Sequence, residues 1–221
     1  MGAKMYDFKK YKYWFNFACN IGLISFICIC VCKLISYAYI WRFRSCGGFT
    51  PVGFGRVCGW NAISIGTLSI GARYRIEALY NINGEKYNPT LNIGTGVSFG
   101  NDLHIGCVNS IFIGNGVLGG SGITIMDHDH GSYQQSSGHP SSPTIPPALR
   151  KLSHSTIVIE ENVYIGEKVT ILQGVRIGAG SIIGAGSVVT KSIPKNTIAV
   201  GVPAKSIKNF KHNKWVAIEQ F

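Results

Sequence analysis

Residues 159–191 read IEENVYIGEKVTILQGVRIGAGSIIGAGSVVTK, and the period of this stretch decides the fold. An aliphatic residue returns at every sixth position, as Ile159, Ile165, Ile171, Ile177, Ile183 and Val189, and Gly follows it at Gly166, Gly178 and Gly184. A period of six is not the 3.6 of an amphipathic helix, and Gly at this density would destabilise one. The pattern fits short strands joined by tight turns, with Gly permitting positive φ at the corners. One copy cannot bury its aliphatic side chain alone. Stacked copies share a continuous core, so the expectation is a mainly β chain wound as a parallel β-helix.

Upstream, the period runs through Ile93-Gly94, Phe99-Gly100 and Ile105-Gly106, slips by two residues, and resumes at Ile113-Gly114, Gly119-Gly120 and Ile125. Weaker copies stand at Ile65-Gly66, Ile70-Gly71 and Ile76-Glu77. The one long break is 127–154, a polar, Pro-rich excursion that opens on Asp127-His128-Asp129-His130-Gly131. Loops this long inside a regular solenoid usually carry function. Imidazole titrates near neutrality and suits general-base work. His128, the first imidazole after the repeat stops, is the leading candidate and His130 its rival. Asp127, Asp129 or a backbone carbonyl could orient the ring. The bland alternative is that both histidines only hydrogen-bond a turn.

The 221-residue chain carries 21 Lys+Arg against 10 Asp+Glu, a formal charge of +11. Such an excess points to an anionic partner. Residues 1–45 hold Lys4, Lys9, Lys10, Lys12, Lys33, Arg42 and Arg44 against Asp7 alone, and from Lys191 onward the lysines face only Glu219. No recognition-helix, zinc-finger or RNA-binding signature occurs, so nucleic acid is not the expected partner. Seven cysteines without a Cys-x-x-Cys pair read as reduced thiols of a cytosolic chain.

Between Trp14 and Trp41 the chain is mostly apolar, with aromatic residues at both flanks. A helix over 14–41 would reach about 40 Å, enough for a hydrocarbon core of about 30 Å. Basic residues flank both ends, which favours keeping both in the cytosol. The expectation is attachment to the cytoplasmic membrane face, monotopic or as a single span. A cleaved signal peptide fits less well, since Lys33 interrupts the run and no small-residue cleavage site precedes Arg42. Packing of this helix against another subunit is the remaining alternative. The division is then 1–46 as a hydrophobic helical segment, 47–208 as the β-helix with loop 127–154, and 209–221 as a basic tail.

Asp127-His128-Asp129-His130, the run Val163-Tyr164-Ile165-Gly166 through Val175-Arg176-Ile177-Gly178 to Ile193-Pro194, and the closing Gly201-Val202-Pro203-Ala204 resemble the hexapeptide-repeat acyltransferases. The resemblance covers about residues 60–208. It lies in the sugar and polysaccharide O-acetyltransferase branch, nearest to bacterial O-antigen or capsule O-acetyltransferases at the inner membrane. It implies a left-handed β-helix of triangular section, a homotrimer, acetyl-CoA as donor, a glycan acceptor that can be lipid-linked, and no metal.

Carried onto this chain, the resemblance makes His128 the base and Gly166 a candidate for oxyanion and cofactor contacts. Asn101 and Tyr164 become acceptor contacts, with Tyr164 standing where the branch commonly has tryptophan and Asn101 equally readable as a corner turn residue. Gly184-Ala185-Gly186-Ser187 would admit the pantetheine arm, and Thr190 and Lys191 would lie near the nucleotide end. A small-sugar or amino-sugar acetyltransferase is the nearest alternative. A γ-carbonic-anhydrase-like zinc enzyme would draw on His104, His128, His130, His139 and His154, and a non-catalytic scaffold would need none of them.

Overall fold

Three stacks of short parallel strands run side by side along the chain and enclose one aliphatic core. The computed structural model describes residues 40–133 and 141–218, together with Ile27, Cys30, Val31 and Leu34. The helix expected over 14–41 therefore lies largely outside the described residues. Among the described residues no helix is long and apolar enough to cross a membrane.

The first face stacks the start of Ile63–Ile70 with Thr90–Ile93, Ser110–Ile113, Ile157–Ile159 and Arg176–Ile177. The second takes the end of Ile63–Ile70, then Val97–Phe99, Leu118–Gly119, Tyr164–Ile165, Ile182–Ile183 and Thr197–Val200. The third stacks Arg56–Cys58, Arg75–Ala78, His104–Cys107, Thr124–Met126, Thr170–Ile171 and Val188–Val189. Chain order visits the faces in rotation, which is a parallel coil.

The register puts the periodic residues directly over one another. Ile65, Ile93, Ile113, Ile159 and Ile177 form one buried ladder on the first face. Ile76, Ile105, Ile125, Ile171 and Val189 form the ladder of the third. On the second, Ile70, Phe99, Gly119, Ile165, Ile183 and Ala199 succeed one another. Phe99 and Gly119 are a size exchange: a Cβ on Gly119 would lie 2.2 Å from Phe99 Cδ1 and 2.8 Å from Ile123 Cδ1. The glycine in the apolar position leaves the volume that the phenyl ring fills.

Both ends of the coil use other chemistry. At the start, Ser45–Pro51 pairs with Ile63–Ile70, and Phe43, Phe49, Trp60 and Tyr74 pack edge to face over the first coil. At the other end, Lys205–Lys211 pairs antiparallel with Thr197–Val200 and then with Lys214–Ala217. The expected boundary at 208/209 thus falls inside a strand, and most of the expected tail is a hairpin. A second hairpin, Asn81–Ile82 with Glu85–Lys86, leaves the coil between the first-face strands Ile63–Ile70 and Thr90–Ile93.

Candidate active site

The two-residue slip after Ile105 has a structural purpose. Val108 and Asn109 make the corner between the third and first faces, and there their backbone N–H groups turn toward one carboxylate. Val108 N–H donates to Asp127 Oδ1 and Oδ2 at 2.9 and 3.2 Å, and Asn109 N–H donates to Oδ2 at 2.8 Å. Asp127 is 0% exposed, so these amides supply what water would otherwise give a carboxylate.

Asp127 Oδ1 also lies 3.0 Å from His128 Nδ1. A carboxylate only accepts, so the ring carries its proton on Nδ1 and leaves Nε2 with a lone pair. His128 is 6% exposed. Its Cε1 passes 3.2 Å from where a Gly106 Cβ would stand, and Met126 Sδ passes 2.6 Å from the same point. Gly106 is therefore the floor on which imidazole and thioether rest. Cys107, buried beside this pair, has its thiol pushed well above the ordinary range by burial and then by the Asp127 charge. It is a protonated packing residue rather than a nucleophile.

The loop leaves and returns as a short antiparallel pair, His128–Asp129 against Ser153–His154, and Ser155 N–H donates to Asp127 O at 2.9 Å. Asp129 belongs to this closure. Its Oδ2 accepts from Gln173 Nε2 at 2.7 Å; the same amide reaches Ser153 Oγ at 2.9 Å, and Ser153 Oγ–H donates to Gly131 O. Farther out, Arg150 Nε donates to Ile145 O at 2.8 Å and Arg150 Nη1 to Tyr133 OH at 3.0 Å. Of the two aspartates, Asp127 orients the imidazole and Asp129 fastens the loop. Of the two histidines, His128 is buried on a carboxylate and His130 is exposed.

The other expected residues divide between two edges of the third face. The outward row Gly106, Met126, Leu172, Thr190 places Thr190 and Lys191 on the same edge as His128, two coils on. At about 4.8 Å per coil that is roughly 10 Å. Asn101, Gly166 and Gly184-Ala185-Gly186-Ser187 occupy the opposite corner, between the second and third faces. Asn101 Oδ1 accepts Ala72 N–H at 2.7 Å, just as Asn115 Oδ1 accepts Thr95 N–H at 2.8 Å at another corner. Its side chain acts here as a corner cap.

Ser187 is buried, donating to Gly184 O at 2.6 Å and accepting Gly201 N–H at 3.1 Å, while Ala185 and Gly186 are exposed. Tyr164 stands half-exposed on the second face between Leu118 and Ile182. Gly166 corrects an expectation: its N–H already donates to Ile183 O at 2.8 Å within the coil and is not available for an oxyanion. A Cβ there would lie 2.5 Å from Ala185 N, so this glycine lets two coils meet at a corner.

Spacing alone did not reveal the amide nest of Val108 and Asn109 or the Gln173 clamp. The slip was visible, but a backbone donor carries no residue signature. Among the remaining histidines, His104 Nε2 lies 3.3 Å from Glu77 Oε2, and the His154 ring packs edge to face on Tyr87. Among the described residues no three His, Cys, Asp or Glu side chains converge as metal ligands. His139 lies outside the described residues.

Residues 156–191 match the family described as bacterial transferase hexapeptide (six repeats). The chain is 46% identical over 126 residues to the Escherichia coli (strain K12) protein named "Putative lipopolysaccharide biosynthesis O-acetyl transferase WbbJ", covering 54% of this chain and 64% of that one. It is 36% identical over 142 residues to the galactoside O-acetyltransferase of Lactococcus lactis, covering 59% and 62%. The match thus spans less than two thirds of either relative's length. Among solved structures, a point mutant of AntD, an N-acyltransferase from Bacillus cereus, superposes with a TM-score of 0.54 over 80% of this chain and 88% of its own, at 20% identity. At that identity the likeness is one of fold. Six-residue period, stacked coil and relatives together make this chain similar to the hexapeptide-repeat acyltransferases, with the family match itself confined to residues 156–191.

Proposed function

We propose that the chain transfers an acetyl group from acetyl-CoA to a sugar hydroxyl of a bacterial surface polysaccharide, of the lipopolysaccharide O-antigen or capsule kind, with His128 as general base. The observation that carries this reading is the buried Asp127–His128 couple at the mouth of the long break in the coil. The acceptor hydroxyl gives its proton to His128 Nε2 as its oxygen attacks the thioester carbonyl. The C–O bond forms, the C–S bond breaks, and the imidazolium protonates the departing thiolate. Asp127 holds the ring in the tautomer this needs and stabilises the imidazolium. Its carboxylate is held in place by the two amides.

The relatives' names support the acyl chemistry and a glycan acceptor, and the solved AntD structure is a complex with dTDP and coenzyme A. Nucleotide phosphates of the donor would meet Lys191, an exposed ammonium on the His128 edge. The exposed corner at Ala185-Gly186 would pass the pantetheine arm. These residues lie on two different edges of one chain. We therefore read the protein as a homotrimer of left-handed coils, in which the His128 edge of one copy faces the Gly184–Gly186 edge of the next. The apolar segment over 14–41 and its basic flanks would hold the assembly at the cytoplasmic membrane face.

The test is thiol release from acetyl-CoA in the presence of polysaccharide, with mass spectrometry of the glycan from cells with and without the gene. Wild type should add a base-labile acetyl, and His128→Ala should lower the rate by about 10²-fold or more. Unchanged release in His128→Ala would remove the reading.

A further inference from the structure

Beside the His128 floor lies a charged cluster that the acyl-transfer mechanism does not use. On the third face, Arg56, Arg75 and His104 point outward in one row on three successive coils. In the next row Glu77 is the coil neighbour of Gly106, over which His128 lies. The Glu77 side chain is 5% exposed and both its oxygens are engaged. Arg56 Nη2 bonds Oε1, Arg75 Nη2 bonds Oε2 at 2.7 Å, and His104 Nε2 stands 3.3 Å from Oε2.

Each guanidinium thus gives one nitrogen to the buried carboxylate and turns the rest outward, Arg56 at 64% and Arg75 at 55% side-chain exposure. Two like charges on adjacent coils, about 4.8 Å apart, repel. A single carboxylate balances one of them. The cluster keeps a net positive charge, with five-donor forks held in place by Glu77 and free on the side that faces solvent.

We propose that Arg56 and Arg75 form an anion subsite for the acceptor, binding a phosphate or carboxylate group on the sugar while its hydroxyl reaches His128 Nε2. This deepens the reading given under Proposed function and rests on it. Glu77 is a positioning residue: it fixes the two forks and touches no substrate. The register puts the forks and the base on one outward face, with Arg75 on the coil next to His104 and Gly106, over which His128 lies. A neutral sugar would leave both forks unmatched.

The experiment uses the full chain with three soluble acceptors: methyl galactoside, which is neutral; methyl galacturonoside, a carboxylate; and UDP-galactose, a pyrophosphate. Thiol release is followed against acceptor and against acetyl-CoA, and acceptor binding is measured by calorimetry in the His128→Ala background. Wild type should prefer one anionic acceptor over the neutral one by about tenfold or more in kcat/KM. Which anionic probe wins separates a carboxylate sugar from a phosphate-linked one. Arg56→Gln with Arg75→Gln should abolish the preference through KM and should abolish binding in the His128→Ala background. Arg75→Lys should keep part of both.

Where the double variant fails to fold, Arg56→Gln/Arg75→Gln/Glu77→Gln removes the buried charge together with its partners and answers the same question. Equal use of all three acceptors by wild type overturns the proposal. So does an unchanged acceptor KM in the variant, or a rise confined to the acetyl-CoA KM, which would give the arginines to the donor. Absence of thiol release with every acceptor, alongside binding of an anionic one that depends on the arginines, would sink the transferase reading and leave the subsite standing.

Discussion

At the residue scale, the proposal that His128 is the base, and not one of a pair of turn histidines, turns on Asp127. It accepts two backbone N–H groups and the His128 Nδ1–H while fully buried. Asp127→Asn presents an N–H face to donors and loses the tautomer control, so kcat should fall about 10²-fold or more with acceptor KM little changed. Asp127→Ala in addition strips two buried amides of their acceptor, at about 1–3 kcal/mol each. Asp129→Asn and His130→Ala should stay within a few-fold of wild type in kcat. Steady-state thiol release on the four variants, beside their melting temperatures, checks this, and a large kcat loss in His130→Ala would reverse the assignment of the base. Gly119 tests packing in the same way. Ala at this position drives its Cβ into the Phe99 ring, and the strain should cost about 1–3 kcal/mol, recovered in part by adding Phe99→Leu. Denaturant unfolding of the two variants measures both changes.

At the scale of elements, the aliphatic ladders were legible because each copy repeats one physical demand: a side chain of fixed volume over its predecessor. Ile65, Ile70 and Ile76, five and six residues apart, join those ladders although the Gly signature around them is weak. The first coil and the two hairpins were not legible. The first coil closes the core with aromatic rings instead of the repeat, and Lys205–Lys211 with Lys214–Ala217 reads as a lysine-rich tail because most of its residues face solvent. The loop was legible as a break, but the residues that close it were hidden. Gln173 lies in a regular copy of the repeat, yet its amide joins Asp129 to Ser153 across the base of the loop. Gln173→Ala should loosen that base without opening the core. The expected outcome is a several-fold rise in acceptor KM, kcat within a few-fold of wild type and a melting temperature close to it. A drop in kcat matching that of His128→Ala would mean that Gln173 acts on the base itself.

On the scale of the whole molecule, the coil gives a weak place to acid before its core is challenged. Glu77 ties three successive coils of the third face through Arg56, Arg75 and His104. Burial pulls its carboxyl upward, but hydrogen bonds from Arg56 and Arg75, with their charges, outweigh that and hold it below the ordinary value. A carboxyl lowered in the folded state binds fewer protons there than in the unfolded chain. Its contribution is complete above the unfolded value of about 4.3 and is lost as pH falls through the folded one. Glu160, lowered by the Ala179 N–H and by Arg176, behaves alike, but it is present in both proteins of a Glu77 comparison and cancels. Glu77→Gln should therefore melt below wild type at pH 7, and the gap should narrow as pH falls below the unfolded value of about 4.3 and through the lower folded one. Melting curves across that range decide the matter. A gap that stays constant however far the pH is lowered while both proteins remain folded would mean that the shape of the side chain, and not its charge, joins the three coils.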